Sequence, residues 1–211
     1  MTSNEEVVDR LRDDILDGVF SPGERLVEVD LCETFSCGRA AIRAALAQLE
    51  SESLVDRQPN RGAVVHRISV AEAIEITEAR GALERLIAGR AARNVTDDDA
   101  RALIGIVDEM RQAVDADDAT RFGSLNRSLH LRLLDMSDHR TAGEMVANLR
   151  NRGVQHQFRL AMMPGRQEVS VGQHARIVDA VVAGDEEGAM EAMTEHLESV
   201  IEVLSRWVTA E

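Results

Sequence analysis

The sequence predicts a mainly α-helical protein in two parts: three short helices with a β-hairpin, then an all-α antiparallel bundle. Three observations carry that prediction. Hydrophobic residues make up 44% of the 211 positions but aromatic residues only 2%. Cores must then be built from Leu, Val, Ile, Ala and Met, which suits helices better than sandwiches or barrels. Apolar residues recur at helical spacing over most of the chain, and only residues 54–66 switch to short β-prone runs around a turn sequence.

Residues 4–18 read as a first helix, with Val7, Val8, Leu11, Ile15 and Leu16 on its apolar face and Gly18 as its stop. Ser21-Pro22-Gly23 cannot continue it. Glu28 to Phe35 reads as a second helix and Ser36-Cys37-Gly38 as a tight connection. Arg39 to Ser51 reads as a third helix, its Ile42, Ala45, Leu46 and Leu49 forming one stripe. Leu54-Val55 and Ala63–His66 flank Gln58-Pro59-Asn60-Arg61-Gly62, a hairpin signal. Three helices and a hairpin within about seventy residues is the layout of a winged helix-turn-helix.

From Ser69 onward every signal is helical. Ser69 to Glu72 is a capping box that opens a long helix to about Asn94, and Thr96 to Asp99 opens another to Ala116. Helices are expected from Ala119 to Met136 and from Arg140 to about Met163, before Pro164-Gly165. Another capping box at Ser170–Gln173 opens a helix ending at Gly184, and Asp185 starts the last one. Short loops between apolar stripes predict an antiparallel bundle. The expected division is residues 1–67 for the winged part and 68–211 for the bundle.

A net charge of −14 argues against a general nucleic-acid binder, because phosphate neutralisation supplies much of DNA affinity. Its distribution is uneven. Residues 1–35 hold three arginines against ten carboxylates, whereas residues 36–67 hold five arginines against three. The chain has no lysine, so every side-chain cation other than histidine is a guanidinium, suited to bidentate contact with phosphate and guanine. No apolar run approaches a membrane span, no signal-peptide pattern opens the chain, and two cysteines make no disulfide framework. A cytoplasmic protein with reduced thiols is expected, Cys32 serving as apolar packing.

In a helix-turn-helix the second helix enters the major groove with its N-terminal residues. Here these are Gly38, Arg39, Ala40, Ala41 and Arg43, the two arginines four apart on one side. Arg61 and Gly62, in the hairpin, are candidates for the adjacent minor groove or a phosphate. The competing reading is a solvated face, with arginines paired to Glu50 or Glu24. The segment DILDGVFSPGERLVEVDLCETFSCGRAAIRAALAQLESESLVDRQPNRGAVV resembles the DNA-binding domain of GntR-type bacterial regulators. The matched features are the G-x-x-x-PG-x-x-L entry, the R-x-x-[IV]-R-x-AL helix, the LV start of the wing and its closing NRGA-x-V. The chain departs from the family pattern at Gly38, Ala41 and Ala44, where Ser/Thr, Pro and Glu are usual, and at Ser53, where a glycine often stands.

Six histidines are present, at 66, 130, 139, 156, 174 and 196. Asn126 and His130 lie one helical turn apart, His174 near the start of a later helix and His196 within the last one. Three imidazoles and an amide oxygen on three inward-facing helices are a candidate divalent-metal set, although buried histidines are more often hydrogen-bonded core. GQHARIVDAVVAGDEEGAMEAMTEHLESV resembles the end of the FCD effector domain of the FadR subfamily. ITEARGALERLIAGRAA resembles its first helix and LNRSLHLRLL its D/N-x-x-x-H helix. The resemblance implies Asn126, His130, His174 and His196 as ligands of a divalent ion, zinc or nickel, with Asn126 where many members have Asp.

The same resemblance implies a small carboxylate-type effector, with Arg80 in the matched R-x-x-LE motif as its partner and His156 and Arg159 as further lining residues. An internal ion pair of Arg80 with Glu84 is the competing reading. The expected protein is a homodimer on a double-stranded DNA operator, with no membrane partner and no catalytic residue. Two alternatives stand beside it: a metal-dependent hydrolase using the histidines, against which no HExxH helix is present, and a regulator whose DNA helix has degenerated into a protein contact.

Overall fold

In a computed structural model, residues 4–16, 18–58, 62–153, 156, 159–160 and 163–208 are described. Their contacts divide the chain into two compact units: residues 1–69 with 150–155, and residues 70–149 with 156–211. No helix among the described residues is long and apolar enough to cross a membrane.

The first unit contains α1 (Asn4–Leu16), β1 (Arg25–Leu26), α2 (Glu28–Thr34), α3 (Arg39–Ser51), β2 (Val55–Gln58) and β3 (Gly62–Val65). The three strands form an antiparallel sheet in the order β1-β3-β2, with Leu26 opposite Ala63 and Val55 opposite Val65. β1 escapes a sequence reading because two residues show no period; it exists only because β3 offers a free edge. One core joins all six elements: Val7, Leu11 and Ile15 from α1, Leu31 and the following Phe35, the whole α3 stripe, and Leu26, Val55, Ala63 and Val65 from the sheet. At β3 Gly62 takes φ +83, and a Cβ there would lie 2.2 Å from the Leu26 carbonyl oxygen, so only glycine fits.

The second unit is a helical bundle of α4 (Val70–Asn94), α5 (Asp97–Asp115), α6 (Ala119–Ser137), α7 (Arg140–Arg152), α8 (Arg166–Val182) and α9 (Glu186–Val208). The last three residues of α7 group with the first unit. Helix α4 packs against α6, α8 and α9, and α5 against α6 and α8. At the expected start of α5, Thr96 and Asp99 make a reciprocal capping box. Two boundaries differ from expectation. Helix α7 ends at Arg152, not near Met163, with Gly153 in a turn, a residue poorly suited to a helix interior. Helix α8 begins at Arg166, directly after Gly165 at φ +76, so Ser170 lies inside the helix and is not its cap.

Two local features of the first unit have measurable consequences. Arg12 on α1 donates from Nε and Nη to both carboxylate oxygens of Glu52 at 2.7 and 2.8 Å, a bidentate clamp onto the end of α3. That clamp holds the Glu52 carboxyl below its ordinary value. A carboxyl depressed in the folded state stabilises the fold above its unfolded pKa, and the contribution disappears as pH falls through the lower folded value. Arg12→Ala is expected to cost about 1 kcal/mol at neutral pH. It should also flatten the acid limb of a stability–pH curve from urea melts.

Ser53 stands in the left-handed region at φ +60, a conformation that glycine adopts without a Cβ penalty. Ser53→Gly is expected to raise stability by about 1 kcal/mol in the same melts, the size of the left-handed penalty.

Candidate nucleic-acid interface and metal centre

Helix α3 separates its residues cleanly. Ile42, Ala45, Leu46 and Leu49 are buried, while Gly38, Arg39, Ala40, Arg43 and Ala44 are exposed. Gly38 is the N-cap, with extended backbone and no side chain to cap the helix. The first intrahelical bonds run from the Ala41 and Ile42 amides to the Gly38 carbonyl, so the Arg39 and Ala40 N–H groups face out of the helix start. Nothing lies within 4 Å of a Cβ built on Gly38. The helix thus presents an open positive end with a guanidinium beside it, the arrangement that attracts a phosphate.

The two arginines differ. Arg43 is exposed, but its Nε donates to the Glu28 carboxylate at 2.9 Å, so the ion pair forms with Glu28 and with neither Glu50 nor Glu24. Glu50 lies 3.6 Å from Arg57, and the Glu24 carboxylate accepts from the Ser21 amide. Arg39 has no ion-pair partner among the described residues. Gly62 has a structural task in holding β3 against β1, whereas Arg61 lies outside the described residues.

In the bundle, α6, α8 and α9 bring His130, His174 and His196 together, with one ligand atom from each within 4.8 Å of the others. All three are buried, His174 completely. The hydrogen bonds decide which ring nitrogen faces inward. His130 Nδ1 lies 2.8 Å from a Glu84 carboxylate oxygen, His174 Nδ1 2.7 Å from the Ser170 carbonyl oxygen, and His196 Nδ1 3.1 Å from Gln173 Oε1. Each partner is an acceptor, so each Nδ1 must carry the proton and donate. The Nε2 atoms remain, and those of His130 and His174 face one another at 3.2 Å. Two lone pairs at that separation repel unless a proton or a cation is shared between them. Burial, then the neighbouring His174 and His130, holds the His196 imidazole well below its usual pKa, so this ring is neutral at physiological pH.

Asn126 stands one turn before His130 on α6, and its buried Oδ1 has no hydrogen-bond partner among the described residues. An orphaned amide oxygen and three tautomer-fixed imidazoles are a donor set that fits a borderline divalent ion such as zinc or nickel. The family resemblance implies these four residues but not the supporting acceptors. Glu84 is 2% exposed and is itself gripped by Arg80, whose Nε donates at 2.8 Å. Arg80 therefore makes the internal ion pair that was its competing reading.

Another buried guanidinium was missed entirely. Arg166, at the start of α8, is 8% exposed, and among the described residues its one hydrogen-bond partner is the Ser199 hydroxyl at 3.1 Å. Burial lowers its pKa, yet guanidinium stays charged. It also lies near enough to His196 to disfavour that ring's protonation. Its position beside Pro164-Gly165 made it look like a loop residue. His156 and Arg159 are brought to Trp207: the His156 ring centroid lies 6.3 Å away, and the exposed Arg159 guanidinium sits 4.4 Å over the indole.

Comparison with known proteins agrees with both halves of this description. The family model for bacterial regulatory proteins of the gntR family matches residues 3–65, and that for the FCD domain matches residues 75–199. The HTH-type transcriptional repressor RspR of Escherichia coli K12 is 27% identical over 199 residues, covering 94% of this chain and 87% of that protein. An uncharacterized HTH-type regulator of Mycobacterium tuberculosis, Rv0494, is 34% identical over 127 residues, 52% of each chain. The structure of E. coli McbR/YncC superposes with a TM-score of 0.88 at 24% identity, covering 99% of this chain and 100% of that one. A GntR structure from Rhodococcus sp. RHA1 superposes at 0.78. This chain belongs to the GntR family of bacterial transcriptional regulators, in the branch that carries an FCD domain, and it is a regulator and not an enzyme.

Proposed function

We propose that the protein binds its operator as a homodimer through α3, and that a small organic acid at a divalent metal centre in the bundle sets its operator affinity. The observation that carries this reading is that His130, His174 and His196 each offer a ligand atom within 4.8 Å of the others, with an acceptor behind each Nδ1. A core that needed only hydrogen-bonded histidines would leave no amide oxygen orphaned beside them on the same helix, as Asn126 Oδ1 is among the described residues.

His130, His174, His196 and Asn126 would hold the ion, and the bound ion would supply positive charge for an anionic ligand. Glu84 fixes the His130 tautomer and contributes the negative charge that a neutral Asn126 does not. Arg166 is the preferred partner for a ligand carboxylate, because Glu84 already occupies Arg80. A carboxylate would supply the ionic partner that Arg166 lacks among the described residues. On DNA, Arg39 and the open start of α3 supply the first contacts, and Arg43 must exchange Glu28 for phosphate or base. One such helix has a small footprint, so two copies on adjacent half-sites provide both affinity and register. The ligand acts only as far as it binds the two operator-affinity states differently.

Arg39→Ala is expected to weaken binding to a duplex selected from random DNA by about 10- to 100-fold, the range for one specific arginine contact. Arg43→Ala should cost less, because the free protein already pairs that arginine. Unchanged affinity in fluorescence anisotropy at fixed salt for both variants would remove α3 from the interface.

Elemental analysis of the full chain is expected to find close to one zinc or nickel ion per protomer, and a clear loss in His174→Ala. A folded, metal-free wild type that cannot be loaded with either ion counts against the centre. Operator titrations with acetate, succinate and gluconate test the effector: a shift that disappears in Arg166→Gln supports the assignment. A shift that survives it moves the carboxylate elsewhere.

A further inference from the structure

The turn that joins α2 to α3 sets two thiols side by side. After α2 the Ser36 amide donates to the Glu33 carbonyl at 3.3 Å and the Cys37 amide to the Cys32 carbonyl at 3.1 Å, with Ser36 at φ +50. Those two bonds around one left-handed residue are a Schellman helix end, in which the side chains three positions before the cap and two positions after it meet. In this chain the meeting positions are Cys32 and Cys37, which take the place of the usual apolar pair. Both are free thiols, half-buried, and packed on the edge of the same core. Burial raises the Cys37 pKa, and the neighbouring Cys32 raises it further, as expected of adjacent thiols.

We propose that Cys32 and Cys37 form a reversible intramolecular disulfide by exchange with a low-molecular-weight disulfide such as oxidised glutathione. One protein thiolate attacks a glutathione sulfur, forming a mixed disulfide and releasing one glutathione thiolate. The second protein thiolate then attacks the protein sulfur of that mixed disulfide and expels the other glutathione. Two protein thiols are oxidised to one disulfide, one oxidised glutathione is reduced to two thiols, and the two protons pass to the departing thiolates. The backbone bond between the two residues, 3.1 Å from the Cys37 amide nitrogen to the Cys32 carbonyl oxygen, already holds their main chains close, as a disulfide requires. The bridge would staple the end of α2 to the residue before Gly38, the N-cap of α3. A thiol held above its ordinary pKa is mostly protonated at neutral pH, so closure is slow there and accelerates as pH rises.

The test uses the full chain. After incubation with oxidised glutathione, free thiols are blocked with N-ethylmaleimide and the protein is cut with trypsin. Both cysteines fall in one peptide, 26–39. The expected product is that peptide lighter by two hydrogens, carrying neither blocker nor glutathione, and restored by dithiothreitol. Cys32→Ser should stop at glutathione on Cys37. Independently, dibromobimane added to the reduced wild type should give the fluorescent doubly alkylated adduct, and neither single-cysteine variant should. A wild type that stops at a stable mixed disulfide, stays fully blocked by maleimide, or links two chains overturns the proposal, as does absence of the bimane adduct.

Discussion

Burying three imidazoles in one apolar bundle forces each ring to keep an acceptor at Nδ1, and much of the buried polar architecture of the second unit follows from that requirement. A neutral imidazole has one donor and one acceptor, and leaving either unmet in a core costs on the order of 1–3 kcal/mol. Glu84, the Ser170 carbonyl and Gln173 meet the three donors. Glu84 is a buried carboxylate and needs its own counter-charge, which Arg80 supplies from one turn away. The chain Arg80–Glu84–His130 thus runs from α4 to α6, and each member is needed because the next one is buried. Among the described residues, what this network leaves unmet is the Asn126 amide oxygen, while the Nε2 atoms of His130 and His174 face one another at 3.2 Å.

The first unit is organised by a different constraint. With so few aromatic residues, its core depends on one apolar stripe of α3, against which α1, α2 and the sheet all pack. Committing that stripe inward commits the opposite face outward, which is why Gly38, Arg39, Ala40 and Arg43 are exposed together. The glycine N-cap leaves the helix start open and weakly capped. A hydroxyl at that position would satisfy one of the free amides and would also be a further group for phosphate.

Much of this was legible in the residues, and the failures have physical causes. The bounds of α3 and the opening of α5 at Thr96 are legible because they rest on local chemistry, a periodic stripe and a short-range side-chain bond. The Ser170–Gln173 signal misled for an instructive reason. Both residues are polar because they serve His174 and His196, not because they cap a helix, and α8 had already begun at Arg166. Arg166 carries no local signal of its role, since the break at Pro164-Gly165 gives it the look of a loop residue. Helix α7 ends short of its apolar periodicity because Gly153 follows Arg152 in a turn.

The sequence by itself determined the order of helices and wing and the face of α3 that points outward, and it placed the three histidines that meet in the bundle on separate helices. These depend on neighbours within a few positions, where periodicity and capping act. Only the tertiary structure decided which nitrogen of each histidine faces inward, that Arg80 is already occupied while Arg166 has no ionic partner among the described residues, and that Arg43 pairs with Glu28. Those outcomes depend on acceptors and charges brought from distant parts of the chain, and no local rule ranks such partners before the chain has folded.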